Sequence, residues 1–557
     1  MCTFALMQRK KIPFRFGGLI GGLWGILTLT SGCRNTQVRP SNWLYYNIHG
    51  VVTSIDPAYA SNLNNMLVVR ALFSTLVEVK DDLTIRPGVA RRWEVRDSGR
   101  TYVFYLRRDV WFHHDPCFPQ GVGRRLTAHD VVFSIRRLLD TTIASPGAWL
   151  FRNRIQYSPQ KGYTEGIYAQ DDSTVVFRLR DPFPPFLGLL ALPYCGIVPP
   201  EAVDYYGQRE FGRHPVGSGP FQFHYWVAGE VLSLKRHPNF FRSGKPHLDG
   251  LFITFIENPE SEFLAFLSGR LDVLSGAQKA MADFFIGWDG HLKPALQDRF
   301  RLVRSAFLNT EYLGILQDPS YLPQKSPLHS LSFRKALAFA IDRRKMLRHL
   351  RRGLGSPGNH SIIPPAMWPD STAGYSYYPD SAHYYLREAI RQGVRIQPLT
   401  IATTATYLDL CLFVARSWRN LGIPTDVEVY PSSGYHQRMR QGDLPIFRAS
   451  WIADYPDPES YLSLFYSANV PPFGPNYTRF NNSQYDSVYQ YALTASDSAR
   501  RHAYNQMVNI LYHRLPVLVL YYDEIVHILR ADVFNLPPHP MGWIEWEEIR
   551  KKRGDGP

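Results

Sequence analysis

Cysteine is scarce in this chain. Five occur in 557 residues, and Cys117, Cys195 and Cys411 stand far apart with no C-x-x-C spacing. That excludes a disulfide scaffold and a cysteine-built zinc site; at most one bridge can form among the three, with its pairing open. After residue 32 no apolar run approaches the ~20 residues that a spanning helix needs. There is no G-x-x-x-x-G-K-[ST], no H-E-x-x-H and no G-x-S-x-G. No set of nucleophile, base and metal is legible, so neither an enzyme nor a cofactor is expected. Gly217-Ser218-Gly219 superficially suggests a nucleophile, but Val216 and Pro220 break the elbow pattern. A tight turn with backbone angles that favour glycine is expected there. His113-His114-Asp115 has metal-ligand residue types, yet neighbours on a strand point to opposite faces, so the two histidines are poorly placed to chelate together. No stripe of cations with interleaved aromatics occurs, and nucleic acid is not an expected partner despite a net charge of +14. Internal repeats and low-complexity tracts are also lacking.

What is present begins at the N-terminus. Arg9, Lys10, Lys11 and Arg15 precede an uncharged, largely apolar stretch over 17–29, closed by Thr30-Ser31-Gly32-Cys33. This order fits a secretory signal over 1–32. Its end resembles a bacterial lipobox, with Thr30 where that pattern usually has Leu. The resemblance implies that Cys33 takes a diacylglycerol thioether and starts a lipidated tether over 33–42. The alternative is a plain signal cleaved nearby, with Cys33 an ordinary thiol. The four cations of the signal leave about +10 on the remainder, scattered apart from Arg343-Arg344-Lys345 and Arg348 to Arg352. These read as solvated faces attracted to an anionic membrane surface. With 45% hydrophobic residues and a mean hydropathy of −0.24, the remainder is a soluble globular chain long enough for two or more lobes.

Strands are expected over 43–48, 102–106, 110–112, 174–179, 221–226, 230–235, 312–316, 399–402, 424–429, 447–451 and 516–522. Helical patterns cover 66–79 (running into an extended stretch), the segment after Thr127 with Asp130 at N3, 261–268, the segment after Ser332, 408–420, 484–495 and 499–513. Strands alternating with helices, with hairpin-like pairs before residue 240, indicate an α/β fold with mixed sheets. The segment from Arg448 to Leu462 stands out. Phe447 to Trp451 reads as a strand that Pro456 ends, and Asp457 as the N-cap of a helix with Pro458 at N1. Asp454 has no such structural explanation and sits where the strand stops. Asp454 for an ammonium, Arg448 for a carboxylate and Trp451 for packing can hold a zwitterion. An internal Arg–Asp pair is the competing reading.

With these residues the chain resembles the bacterial extracellular solute-binding proteins of family 5, the peptide- and nickel-binding lipoproteins of ABC importers. The matching blocks run in family order: Ser54-Ile55-Asp56-Pro57, Pro87-Gly88-Val89-Ala90, Thr101 to Leu106, Leu126 to Val131, Val216 to Phe221, Ser268 to Val273, Arg334 to Asp342, and Trp451 to Pro458. The resemblance implies a two-lobed periplasmic-binding-protein clamshell. Lobe I would comprise 43–305 plus 517–550, with an extra subdomain at about 83–197, and lobe II would span 306–516, with crossings near Ala306 and Pro516. It implies that Asp454 receives a peptide's ammonium, that Arg448, Trp451 and Tyr455 line the ligand, and that the peptide main chain pairs near 47–53 and 449–453. ABC permease subunits as partners, a periplasmic or extracytoplasmic, lipid-anchored location and a monomeric soluble part follow as expectations. A metal chelate or sugar as ligand, or a sensor role, are the alternatives. The departures fall at Phe112 to Pro116, at an insertion over 117–123 and at Leu308 to Leu313, and they bear on the pocket, not the fold.

Overall fold

The computed structural model describes residues 40–163, 165–276, 279–369 and 374–552; the expected signal, Cys33 and nearly all of the tether lie outside the described residues. The described residues from Ser41 onward form one compact unit. It opens with β1 (Trp43–Asn47), whose Leu44 and Tyr46 are buried. Next comes α1 (Leu63–Leu72), started by Asn62, whose side chain accepts from the Asn65 amide at 2.9 Å. The helix ends at Leu72 and gives way to the expected extended stretch, where Val77–Val79 pairs with Ile85–Pro87.

β2 (Ala90–Arg96), β3 (Thr101–Leu106), α2 (Ala128–Leu139), β4 (Ile167–Asp171) and β5 (Thr174–Arg178) follow. Their strands make an antiparallel sheet ordered β2-β3-β5-β4, with α2 against β4 and β5. α2 begins with the expected capping box, Asp130 Oδ2 accepting from the Thr127 amide at 2.7 Å. The strand expected at 110–112 shrinks to one bridge, Trp111 to Arg125. β6 (Phe221–Val227), β7 (Val231–Arg236) and β8 (Gly250–Thr254) join β1 in a mixed sheet ordered β1-β8-β7-β6.

The last sheet contains β9 (Val273–Ser275) and the long β10 (Phe300–Ile315), then α3 (Leu331–Phe339) and α4 (Arg343–Arg351) intervene. β11 (Leu399–Thr403), α5 (Leu408–Asn420), β12 (Thr425–Val429), β13 (Ile446–Ile452) and the long β14 (Val517–Arg530) follow, and the two-residue strand Ser356–Pro357 pairs with β14. The strand order is β9-β14-β10-β13-β11-β12. Ser330, not Ser332, caps α3, accepting from the Phe333 amide at 3.3 Å. β10 and β14 run antiparallel, but their register breaks. Phe300 to Ala306 faces Glu524 to Arg530, and after a shift Thr310 to Gly314 faces Val517 to Tyr522. Such a bulge bends both strands. The two halves enter different cores: Phe300 packs with Phe266 and Phe285, whereas Leu313 and Ile315 pack with Phe333 and Trp418. Cys117, Cys195 and Cys411 are all free thiols, so the one bridge allowed by the sequence does not form.

Candidate functional site

The site grows from β13 and the turn that follows it. β13 pairs with β10 along its whole length, but on its other side only Phe447 faces β11, at Ala402. Beyond that point no strand among the described residues covers the β11 side of Ala449 to Ile452. A strand edge with open N–H and C=O groups is a template for an extended partner.

Side chains three apart on a strand project to opposite faces, and this separates Arg448 from Trp451. Arg448 is buried, its guanidinium pairs with Glu311 of β10, and it lies 3.0 Å from the Tyr407 ring centroid. Burial raises the Glu311 pKa above the usual carboxylate range, against the pull of Arg448. This pairing argues against the ligand-carboxylate role expected of Arg448, because its charge is matched inside the protein. The competing Arg–Asp reading had the right type of interaction with the wrong acid, because Glu311 is far away in sequence and only sheet formation brings it beside Arg448.

Asp454 lies past the end of β13. Its amide donates to Ser460 Oγ at 3.0 Å, and Trp451 Nε1 donates to the same oxygen at 3.4 Å, so one hydroxyl positions both residues. No cation pairs with the Asp454 carboxylate among the described residues. The side chain is solvent-exposed, but it faces a recess walled by protein. Desolvation by those walls, then the nearby Glu459, push its pKa up to about 6. Glu459 is itself buried and accepts from the hydroxyls of Tyr455 and Tyr489. Tyr455 packs near Trp149, with ring centroids 6.3 Å apart.

These groups line a cavity of about 830 Å³, together with Arg154, Phe473 and Tyr477. Phe473 is 85% exposed on a proline-rich loop at its rim. Trp149, Arg154, Glu459 and Phe473 were not picked out from sequence. Three of them come from segments far from Asp454 in the chain, and Glu459 carries no local signal beyond its helix. The helix starts at Glu459 with Pro458, not Asp457, as its N-cap, although Asp457 Oδ1 accepts from the Glu459 amide at 2.9 Å and from Tyr504, while Oδ2 pairs with Arg500 at 2.7 Å.

The histidine and glycine motifs prove to be one structural unit. His113 Nε2 and His237 Nδ1 donate to the Gly219 carbonyl at 3.1 and 3.0 Å, and the Gly217 amide donates to His113 Nδ1 at 3.2 Å. Burial lowers the pKa of His113 well below normal and that of His237 to about 4, so both rings are neutral. The glycines serve close approach, not the unusual angles expected. A Cβ on Gly217 would lie 2.1 Å from the Leu72 carbonyl oxygen, and neither glycine has a positive φ. Elsewhere Glu78, Glu545 and Glu547 converge within 4.8 Å, but Arg70, Arg86 and Arg242 pair with them at 2.5–2.7 Å. That arrangement is an internal ion network, already neutralised.

Comparison with known proteins places these features in context. Residues 84–472 match the family model described as bacterial extracellular solute-binding proteins, family 5. The dipeptide-binding protein of Escherichia coli is 25% identical over 495 residues, covering 86% of this chain and 88% of that one. The peptide transport periplasmic protein SapA of Salmonella typhimurium is 28% identical over 556 residues, 96% of each chain. Among solved structures, HbpA2 from Haemophilus parasuis superposes with a TM-score of 0.79 at 22% identity, covering 92% of this chain and all of that one. The fold is thus the two-lobed α/β clamshell of periplasmic binding proteins.

Proposed function

We propose that this chain, which belongs to the bacterial extracellular solute-binding proteins of family 5, captures peptides by their ammonium end at Asp454 and delivers them to an ABC importer. The observation that carries this reading is an ionisable carboxylate with no counter-cation among the described residues, set in a recess beside an open strand edge. A peptide supplies both missing partners. Its ammonium neutralises Asp454, and its main chain adds along Ala449 to Ile452 as an extra strand. The cavity lined by Trp149, Trp451, Tyr455 and Phe473 then receives the first side chain. The names of the dipeptide-binding protein and of SapA point the same way.

Closure belongs to the same reading. We place the lobe crossings where the ladder of β10 and β14 loses register, at Ala306 to Thr310 and at Tyr522 to Glu524. This moves the second crossing from Pro516 into the middle of β14. Lobe I then carries the β1-β8-β7-β6 sheet and the β2-β3-β5-β4 subdomain, and lobe II carries β11 to β13. The chain works outside the cytoplasm, held at the membrane through Cys33 as a monomer, and its partners are permease subunits.

Native mass spectrometry of the chain from Ser41 onward tests the ligand class. A spread of small added masses that fragment as peptides is expected. A single non-peptide mass, or a bare protein that ignores a peptide mixture, overturns the proposal. Replacing Cys33 by Ser in the full chain is expected to move the protein from the membrane to the soluble fraction.

A further inference from the structure

α4 sorts its cations by face. Arg343 is buried and donates to the carbonyls of Val519, Ala338 and Tyr375. Arg351 pairs with Asp523, and Arg352, just past the helix, pairs with Asp283 at 2.6 Å. Met346 and Leu347 fill the core. Arg344, Lys345, Arg348 and His349 are exposed, at spacings that put them on one stripe of a 3.6-residue helix. Arg344, Lys345 and Arg348 have no ion-pair partner among the described residues. The helix itself has no acidic residue, and Asp342 before it is engaged as the N-cap, accepting from the Lys345 amide at 2.9 Å. Beside the start of α4, Phe339 packs against Tyr378 and Tyr385 with ring centroids 6.3 and 5.6 Å away. Tyr378, and Tyr384 farther along the same segment, are each more than half exposed, at 58% and 51%.

We propose that the outer stripe of α4 is a docking face for an anionic lipid bilayer. Arg344, Lys345 and Arg348 present charge away from the cavity that Met346, Leu347 and Leu350 line, which suits a diffuse negative surface better than a shape-matched protein. The exposed Tyr378 ring, packed on Phe339 just before α4, is apolar with a polar tip and suits a headgroup boundary. The excess of about ten positive charges beyond the signal favours the same surface. The stripe shares no residue with the Asp454 cavity, so it stands or falls independently of the peptide reading.

The test is co-sedimentation of the chain from Ser41 onward, which leaves out the N-terminal segment. The vesicles are pure phosphatidylcholine, or the same lipid with about a third phosphatidylglycerol. Binding is expected only to the anionic vesicles, and salt should weaken it. The combined substitution Arg344→Gln, Lys345→Gln and Arg348→Gln is expected to lower the partition coefficient about a hundredfold, at roughly fivefold per cation. Its melting temperature and ligand binding should match the parent chain, because these side chains make no interior contact. Equal binding to neutral vesicles, no binding to either, or an unchanged substituted chain each overturns the proposal. So does binding that appears only when a membrane protein is present in the vesicle.

Discussion

At the scale of the residue, the proposed role of Asp454 sets binding against folding, and the two should respond to pH with opposite sign. Its folded pKa of about 6 lies above the ordinary aspartate value of 3.8. Its contribution to stability is therefore fully present below 3.8 and is lost as pH rises through about 6. At neutral pH the ionised group opposes folding, though its contact with solvent keeps the effect small. Binding of an ammonium needs the ionised form. Affinity for a peptide with a free amino end should fall about tenfold per unit as pH drops below about 6. The N-acetylated peptide should bind weakly with no such slope, and calorimetry across this range checks both. Asp454→Asn should weaken peptide binding by about 2–5 kcal/mol. The same substitution should slightly raise the melting temperature of the empty protein. Unchanged affinity would place the ammonium elsewhere. Arg448 has the opposite profile. Arg448→Ala or Glu311→Ala should each cost about 3–5 kcal/mol by leaving a buried charge alone, whereas Arg448→Met with Glu311→Leu should cost far less. Denaturant unfolding of the three variants decides this, and blocking the peptide's carboxyl end should not mimic any of them.

At the scale of the element, what was legible depended on whether the cause was local. The capping box at Thr127 and the strands around Val103, Val176 and Phe447 follow from neighbours in the sequence, and the structure has them where the pattern puts them. The halves of β10 and β14 beyond residues 312–316 and 516–522 were missed. Arg301, Arg304 and Glu524 interrupt the apolar alternation there, and it is the antiparallel partner that supports those stretches. Asp454 was legible because it lacked a structural purpose. The rest of its cavity was not, since Trp149 and Phe473 reach it only through tertiary packing. The turn at Gly217 to Gly219 was recognised for the wrong reason, and the true one gives a sharper test. Because a Cβ on Gly217 would meet the fixed backbone of Leu72, Gly217→Ala should destabilise by about 1–3 kcal/mol. Gly229, which has a positive φ and open space around it, should respond through backbone strain alone, so Gly229→Asn should cost less. Thermal unfolding of the two variants distinguishes close approach from backbone angle as the constraint.

At the scale of the whole molecule, the proposed closure would run through the two long strands. β10 and β14 are central in their sheet, yet each contributes one end to the core around Phe266 and the other to the core around Trp418. Packed cores resist bending, so a change of angle between them must be absorbed where the ladder is irregular, between Ala306 and Thr310 and across from it at Asp523. Charged side chains flank that point on both sides: Arg304 holds Glu524 at 2.6 Å, and Arg351 holds Asp523. A peptide gripped by Asp454 and the β13 edge on one lobe, and by Trp149 and Arg154 on the other, makes more contacts when the lobes approach. Binding should therefore shift the population towards a closed form. Small-angle scattering should show a smaller radius of gyration at saturating peptide. The melting transition should rise in step, by about 2.7 kcal/mol of stability at a hundredfold excess over Kd. Stabilisation without compaction would mean that the peptide sits on one lobe and that the strand irregularity is not a hinge. Compaction that Asp454→Asn leaves intact at saturating peptide would show that closure is driven by the main-chain and aromatic contacts, with the ammonium setting affinity alone.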